Sequence, residues 1–219
     1  REMCALTARE LSVIGIECRP QHIQVCSTGV IGAPLPMEVI RAHIPEAMTA
    51  LSPMNLPAFA EAIMTTDTRP KYRALALDLL EERRETSEGT LTVKIGGAVK
   101  GAGMIHPQMA TMLAFVCSDA VIDDEHLSAM WRRVCDQSFN AISIDGDTST
   151  NDTALLLTRE PSATRLPLNE TQLESFEGAL TDLCRELALD ILRDGEGVEH
   201  VAHLTISRAT NRAEARRVA

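Results

Sequence analysis

The sequence is poor in aromatic residues and has fewer basic residues than acidic ones. Its 219 residues include one Trp, one Tyr and four Phe, and 21 Lys and Arg stand against 31 Asp and Glu, so the net charge is -10 at pH 7. Nucleic-acid sites need basic grooves and often aromatic platforms on which bases stack. We therefore expect no nucleic-acid partner.

Long apolar runs and paired cysteines are also lacking. Runs such as Met112 to Cys117 are far shorter than the roughly 20 residues needed to cross a bilayer, so we expect no membrane partner. The six cysteines are scattered without a C-x-x-C pair, which favours a reducing compartment over a disulfide framework. The default expectation for location is the cytoplasm.

Patterns for metal or nucleotide binding are incomplete. Asp145, Asp147 and Asp152 lack the terminal Glu of a calcium loop, so we predict no metal site and interpret this stretch as a turn that supports a site. The glycines between Gly96 and Gly103 fit neither G-x-x-x-x-G-K-[ST] nor G-x-G-x-x-G, which disfavours nucleotide binding. We expect these glycines to turn the backbone sharply.

Helical and strand patterns alternate along the chain. Apolar periodicity predicts helices at Met3 to Ile14, Met37 to Leu51, Leu56 to Met64, Leu127 to Phe139 and Thr171 to Gly195, the last opened by a capping box of Thr171 and Glu174. Alternating or continuous apolar runs predict strands at Ile23 to Cys26, Thr90 to Ile95, Thr111 to Cys117, Ala154 to Leu157 and Val198 to Ile206. The stretch from Tyr72 to Glu88 is expected to be charged and exposed. This mixture predicts a layered α/β domain.

Five ordered motifs carry a family resemblance. They are Ser27 to Pro36 (STGVIGAPLP), Met64 to Thr68 (MTTDT), Lys100 to Pro107 (KGAGMIHP), Met109 to Leu113 (MATML) and Asp145 to Asp152 (DGDTSTND). Together they resemble the bifunctional ornithine acetyltransferase/N-acetylglutamate synthase family of arginine biosynthesis. The resemblance covers almost the whole chain and implies an α/β layered sheet-and-helix sandwich of the ornithine acetyltransferase or DmpA-like type. Family members are longer at both ends, so we expect a fragment that lacks both termini.

The resemblance also implies the site residues. In the family the protein cleaves its own Ala-Thr bond, which here lies between Ala110 and Thr111, so residues 1–110 would belong to an α chain and residues 111–219 to a β chain. Thr111 would be the nucleophile, and Thr28 with Gly29 would form the oxyanion hole. Substrate contacts map to Thr65, Lys100, Thr111 and Glu196.

The implied reaction moves an acetyl group from N-acetylornithine to glutamate through an acetyl-threonine, with acetyl-coenzyme A as an alternative donor and no required cofactor. The implied partners are these small molecules and the α and β chains themselves, in a heterotetramer. Two alternatives stay open. One is an aminopeptidase or amidohydrolase with the same kind of N-terminal nucleophile, and the other is a non-catalytic fragment.

Overall fold

The computed structural model describes residues 1–27, 30, 32–81, 89–106, 112–149 and 151–218. Its helices are α1 (Glu2–Val13), α2 (Met37–Thr49), α3 (Leu56–Ala62), α4 (Asp124–Gln137), α5 (Glu170–Arg193) and α6 (Arg212–Val218). Its strands are β1 (Lys71–Glu81), β2 (Gly89–Lys100), β3 (Leu113–Ser118) and β4 (Thr153–Leu157). Short 3-10 helices occur at Pro20–His22 and Phe139–Ala141. None of the helices in the described ranges is long and apolar enough to span a membrane.

The four strands form one mixed sheet in the order β1-β2-β3-β4. The first two pairs are antiparallel, whereas β3 and β4 run parallel. Lys100 at the end of β2 lies opposite Leu113 at the start of β3, and Leu113 lies opposite Thr153 at the start of β4. Lys71 at the start of β1 lies opposite Val99, so this end of the sheet collects the end of β2 and the beginnings of the other three strands.

The edge strand β1 occupies much of the stretch expected to be charged and exposed. Within it, Leu79 is buried and Leu75 and Leu77 pack against the core, whereas Leu80 is exposed. This spacing of two is the strand period, so one face of β1 contacts the core while the other faces solvent. The expectation of exposure thus holds for one face, and residues 82–88 lie outside the described part.

The prediction that Gly96 and Gly97 turn the backbone was wrong, because both continue β2 and pair with β1 and β3. Their role is close packing. A Cβ on Gly97 would lie 3.1 Å from Leu187 Cδ1 of α5, whereas one on Gly96 would face Leu56 of α3 at 3.6 Å. Because successive strand residues point to opposite faces, α5 and α3 cover opposite sides of the sheet. The turn comes after the strand, at Gly101, where φ is 149°.

The core lies between the sheet and the pair α4 and α5. Buried residues of the two helices, including Met130, Val134, Leu180 and Leu187, share one cluster with Val99 and Val116 of the sheet. On the other face, Phe59 of α3 meets Phe115 of β3 edge to face, with ring centroids 5.3 Å apart. The predicted layered α/β class is therefore confirmed.

Three local predictions were wrong. The capping box of α5 consists of Asn169 and Gln172, two residues before the expected Thr171 and Glu174. The segments Ile23 to Cys26 and Val198 to Ile206 are not strands, because neither pairs with a strand in the described ranges. An apolar alternation needs a neighbouring edge before it becomes a strand, and sequence alone does not show that edge.

Candidate active site

The site begins where β2 ends. Lys100, the last residue of that strand, has only 1% of its surface exposed, and its Nζ donates a hydrogen bond to Thr65 Oγ1 at 3.0 Å. Thr65 lies in the segment between α3 and β1. The structure thus brings together two of the predicted substrate-binding residues, which are 35 positions apart.

Burial lowers the pKa of Lys100, because desolvation disfavours the charged ammonium. The carboxylates of Asp67 and Asp152 act in the opposite direction, and Lys71 adds a further lowering effect, so the net direction is down. An ammonium in this setting is poorly hydrated and close to two carboxylates. When charged, it can bind an anionic group that enters the site through a charge-assisted hydrogen bond.

A buried ion cluster of Lys71, Asp67 and Asp194 lies next to Lys100 and Thr65. Lys71, also 1% exposed, contacts Asp67 Oδ1 at 2.6 Å and Asp194 Oδ2 at 2.5 Å. Asp67 also accepts the N–H of Gly101 at 2.8 Å and that of Thr65 at 3.1 Å. Burial alone would raise the pKa of Asp67, but these hydrogen bonds and Lys71 together hold it below its ordinary value. Asp67 thereby fixes the backbone on both sides of the Lys100–Thr65 contact.

The third member of the cluster, Asp194, directly follows α5. It accepts the N–H of Thr68 at 3.0 Å and the Thr68 hydroxyl. Burial opposes ionisation of Asp194, yet Lys71 and Thr68 outweigh it and hold its pKa below the ordinary value. The end of α5 is therefore joined to the segment that carries Thr65.

Glu196 comes two residues after Asp194, and it is exposed. Its backbone N–H donates to the carbonyl of Ala102 at 2.6 Å, and its carboxylate lies 3.2 Å from the point where a Cβ of Gly103 would be. Glycine at position 103 leaves room for this exposed carboxylate. Glu196 thus lies beside the loop that follows Lys100.

Two aspartates of the motif at 145–152 hold backbone N–H groups near this end of the sheet. Asp145 accepts from Met104 at 2.5 Å and from Ile105 at 3.0 Å, which fixes the loop after Gly103.

Asp152 Oδ1 accepts from Met112 at 2.8 Å, just before β3. Burial raises the pKa of Asp152 to about 6, against the lowering effects of that hydrogen bond and of Lys100. Asp145 and Asp152 thus fix the loop after Gly103 and the residue that precedes β3.

The remaining predicted residues, namely Thr28, Gly29, Ala110 and Thr111, lie outside the described residues.

Sequence reasoning assigned no role to Lys71 or Asp194 and treated Asp67 only as part of a motif. Asp67 and Asp194 both occur in the short segments that supplied Thr65 and Glu196. The contact between Lys71 and Asp194, which are 123 positions apart, leaves no local pattern in the sequence. In the described ranges, no group of three His, Cys, Asp or Glu residues is arranged to hold a metal ion.

Comparison with known proteins gives a consistent result. The model of the ArgJ family matches residues 1–219. This chain belongs to the ArgJ family. Among its relatives, the "Arginine biosynthesis bifunctional protein ArgJ" of Symbiobacterium thermophilum is 42% identical over 219 residues, covering 100% of this chain and 51% of that protein. The protein of the same name from Geobacter sulfurreducens is 43% identical over 225 residues, covering 100% and 52%.

The chain spans about half the length of these ArgJ relatives. Among solved structures, it is similar to the crystal structure of the arginine biosynthesis bifunctional protein argJ from Bacillus halodurans. The identity is 40% and the TM-score is 0.37, with 41% of this chain and 42% of that chain covered.

Proposed function

We propose that this chain takes part in arginine biosynthesis by transferring an acetyl group from N-acetylornithine, or from acetyl-coenzyme A, to glutamate. The observation that carries the proposal is the ArgJ family match across residues 1–219. The contact between buried Lys100 and Thr65 supports it, because both are residues for which the family resemblance implies substrate binding.

In this proposal the chain is cut between Ala110 and Thr111, and Thr111 is the nucleophile. The α-amine released by cleavage has an unperturbed pKa of roughly 7.7–8.0, so it can take the hydroxyl proton near neutral pH. Before cleavage the same nitrogen belongs to an amide and is not a base. The freed Oγ attacks the acetyl carbonyl carbon, and Thr28 with Gly29 stabilises the oxyanion.

When the oxyanion collapses, the bond between the acetyl carbon and the ornithine nitrogen breaks, and that nitrogen takes the proton from the Thr111 ammonium. An acetyl-threonine remains. The amine of glutamate then attacks the ester, which gives N-acetylglutamate and restores the hydroxyl, so the two substrates react in turn. No cofactor has to supply atoms or electrons.

Both substrates are amino acids that carry a carboxylate. In this proposal Lys100 binds the carboxylate through a charge-assisted hydrogen bond. Thr65, which also accepts a hydrogen bond from Lys100, contacts the substrate beside it, and Glu196 binds an amino group at the other end. We further propose that residues 1–110 form the C-terminal part of an α chain and residues 111–219 the N-terminal part of a β chain, in a cytoplasmic heterotetramer.

Intact-mass analysis of Thr111→Ala and wild-type protein tests the proposal. The wild type should separate into two chains under denaturing conditions, and N-acetylornithine should add the mass of one acetyl group to the chain that begins at Thr111. Thr111→Ala should stay uncut, unacetylated and inactive, whereas the control Thr90→Ala, on an exposed position of β2, should behave as wild type. Transfer by Thr111→Ala would refute the nucleophile, and release of acetate to water without transfer to glutamate would favour a hydrolase.

A further inference from the structure

Asp152 is a partly buried carboxylate to which the proposed function assigns no substrate contact. It immediately precedes β4, and its Oδ1 holds the N–H of Met112, while the Met112 carbonyl accepts the N–H of Thr153 at 3.2 Å. Lys100, Leu113 and Thr153 are neighbours across three strands. Asp152, which precedes Thr153, therefore lies at the same end of the sheet as Lys100. Its position is fixed by the sheet itself.

The second oxygen of this carboxylate lacks a partner. Asp152 Oδ2 is buried and accepts no hydrogen bond from the residues that the structure describes. A buried acceptor left unsatisfied costs about 1–3 kcal/mol, and native proteins hold few such groups. This oxygen therefore indicates a hydrogen-bond donor that becomes available only when the site is in its reactive form.

The charge around Asp152 favours a cationic donor. Among the described residues, Lys100 on β2 interacts electrostatically with Asp152. Lys100 lowers the pKa of Asp152, and Asp152 raises the pKa of Lys100. The pKa of Asp152, raised by burial to about 6, still leaves most of the carboxyl ionised at pH 7. An ionised, poorly solvated oxygen binds an amine or ammonium more strongly than a neutral donor.

Chain connectivity identifies such an amine. Met112 directly follows Thr111, and the nitrogens of consecutive residues are three covalent bonds and about 3–4 Å apart. We propose that Asp152 is a positioning residue for acyl transfer: Oδ1 holds the backbone after Thr111, and Oδ2 accepts a hydrogen bond from the α-amine that self-cleavage releases. This inference rests on the proposed function.

The chemistry balances without a proton moving to Asp152. The Thr111 hydroxyl gives its proton to the α-amine, which becomes an ammonium while Oγ bonds to the acetyl carbon. The carboxylate stabilises that ammonium and keeps it oriented until the proton passes to the departing nitrogen of ornithine. Since an adjacent negative charge favours the charged form of an amine, Asp152 also raises the pKa of the base.

The test compares wild type, Asp152→Asn and the control Asp182→Asn in the native protein, by measuring acetyl transfer from N-acetylornithine to glutamate between pH 5 and pH 9. Asp182 lies on α5, and its side chain is 77% exposed. In Asp152→Asn the plateau rate should fall about tenfold or more, and the acidic limb of kcat should move to lower pH by about one unit. The control should match wild type.

A wild-type profile in Asp152→Asn overturns the inference, and so does a lower plateau with an unmoved limb, which indicates a structural role. If Asp152→Asn is not cleaved, Asp152→Glu decides, because it retains the charge. Cleavage and transfer in the Glu variant support the inference, and an uncleaved Glu variant overturns it. If wild type itself forms no acetyl adduct, the proposed function fails, whereas an adduct with an unaffected Asp152→Asn refutes only the role of Asp152.

Discussion

At the scale of single residues, Lys100 should contribute to binding and cost stability. Its burial lowers its pKa, so the folded state disfavours the charge that a substrate carboxylate would bind. Lys100→Met should raise KM for glutamate about tenfold to hundredfold, since a charged hydrogen bond contributes about 1.5–3 kcal/mol. The melting temperature of Lys100→Met should equal that of wild type or exceed it by up to about 4 °C, because the substitution removes a buried charge. Steady-state kinetics and thermal unfolding measure the two effects.

Lys94→Met is the matched control for that prediction, because Lys94 is on the same strand with an exposed side chain. It should leave KM unchanged. An unchanged KM in Lys100→Met would remove the lysine from the binding site, and a collapse in stability without any effect on KM would make it a structural residue.

At the scale of secondary-structure elements, the contact between α5 and β2 depends on a missing side chain. A Cβ at position 97 would approach both Leu187 Cδ1 and Val116 Cγ2, at 3.1 and 3.2 Å. Gly97→Val should therefore lower the free energy of unfolding by about 1–3 kcal/mol, the usual cost of overpacking, as measured by urea denaturation. Gly178→Ala, in α5 with open space around it, should instead stabilise by about 0.5–1 kcal/mol. Equal stability of Gly97→Val and wild type would contradict this packing.

Elements were predicted from sequence to the extent that their causes are local. The helical periodicity of α5 and the alternation of β2 are visible because each depends on residues within a few turns or pleats. The segment Val198 to Ile206 has a similar alternation but is not a strand, since pairing depends on a distant edge. In the site, the motifs pointed to Thr65 and Lys100, whereas the role of Lys71 emerged only from the three-dimensional contacts.

At the scale of the whole molecule, Lys71 joins parts of the chain that are far apart in sequence. Lys71→Met leaves the buried carboxylates of Asp67 and Asp194 without their cation, so it should destabilise by about 3–5 kcal/mol at pH 7. In wild type both carboxyl groups have lowered pKa values, so their contribution is present above about pH 3.9 and is lost as the pH falls through the folded-state values.

Without Lys71, the two carboxylates should bind protons more readily, so the stability difference from wild type should shrink between pH 7 and pH 4. Urea unfolding at the two pH values measures it. Arg133→Met, which removes an exposed cation paired with Glu177, is the control and should change stability by no more than about 1 kcal/mol at either pH. A difference for Lys71→Met that grows on acidification would contradict the ion cluster.

The pairing of β2 with β3 has a consequence for the proposed cut between residues 110 and 111. The two strands lie on opposite sides of that bond in sequence yet share six residue pairs, from Ile95 with Ser118 to Lys100 with Leu113. Helix α5, from the second portion, also packs on β1 and β2 of the first. The fragments would therefore be halves of one folding unit, inseparable by dilution, and parting them would require the same denaturant concentration that melts the sheet.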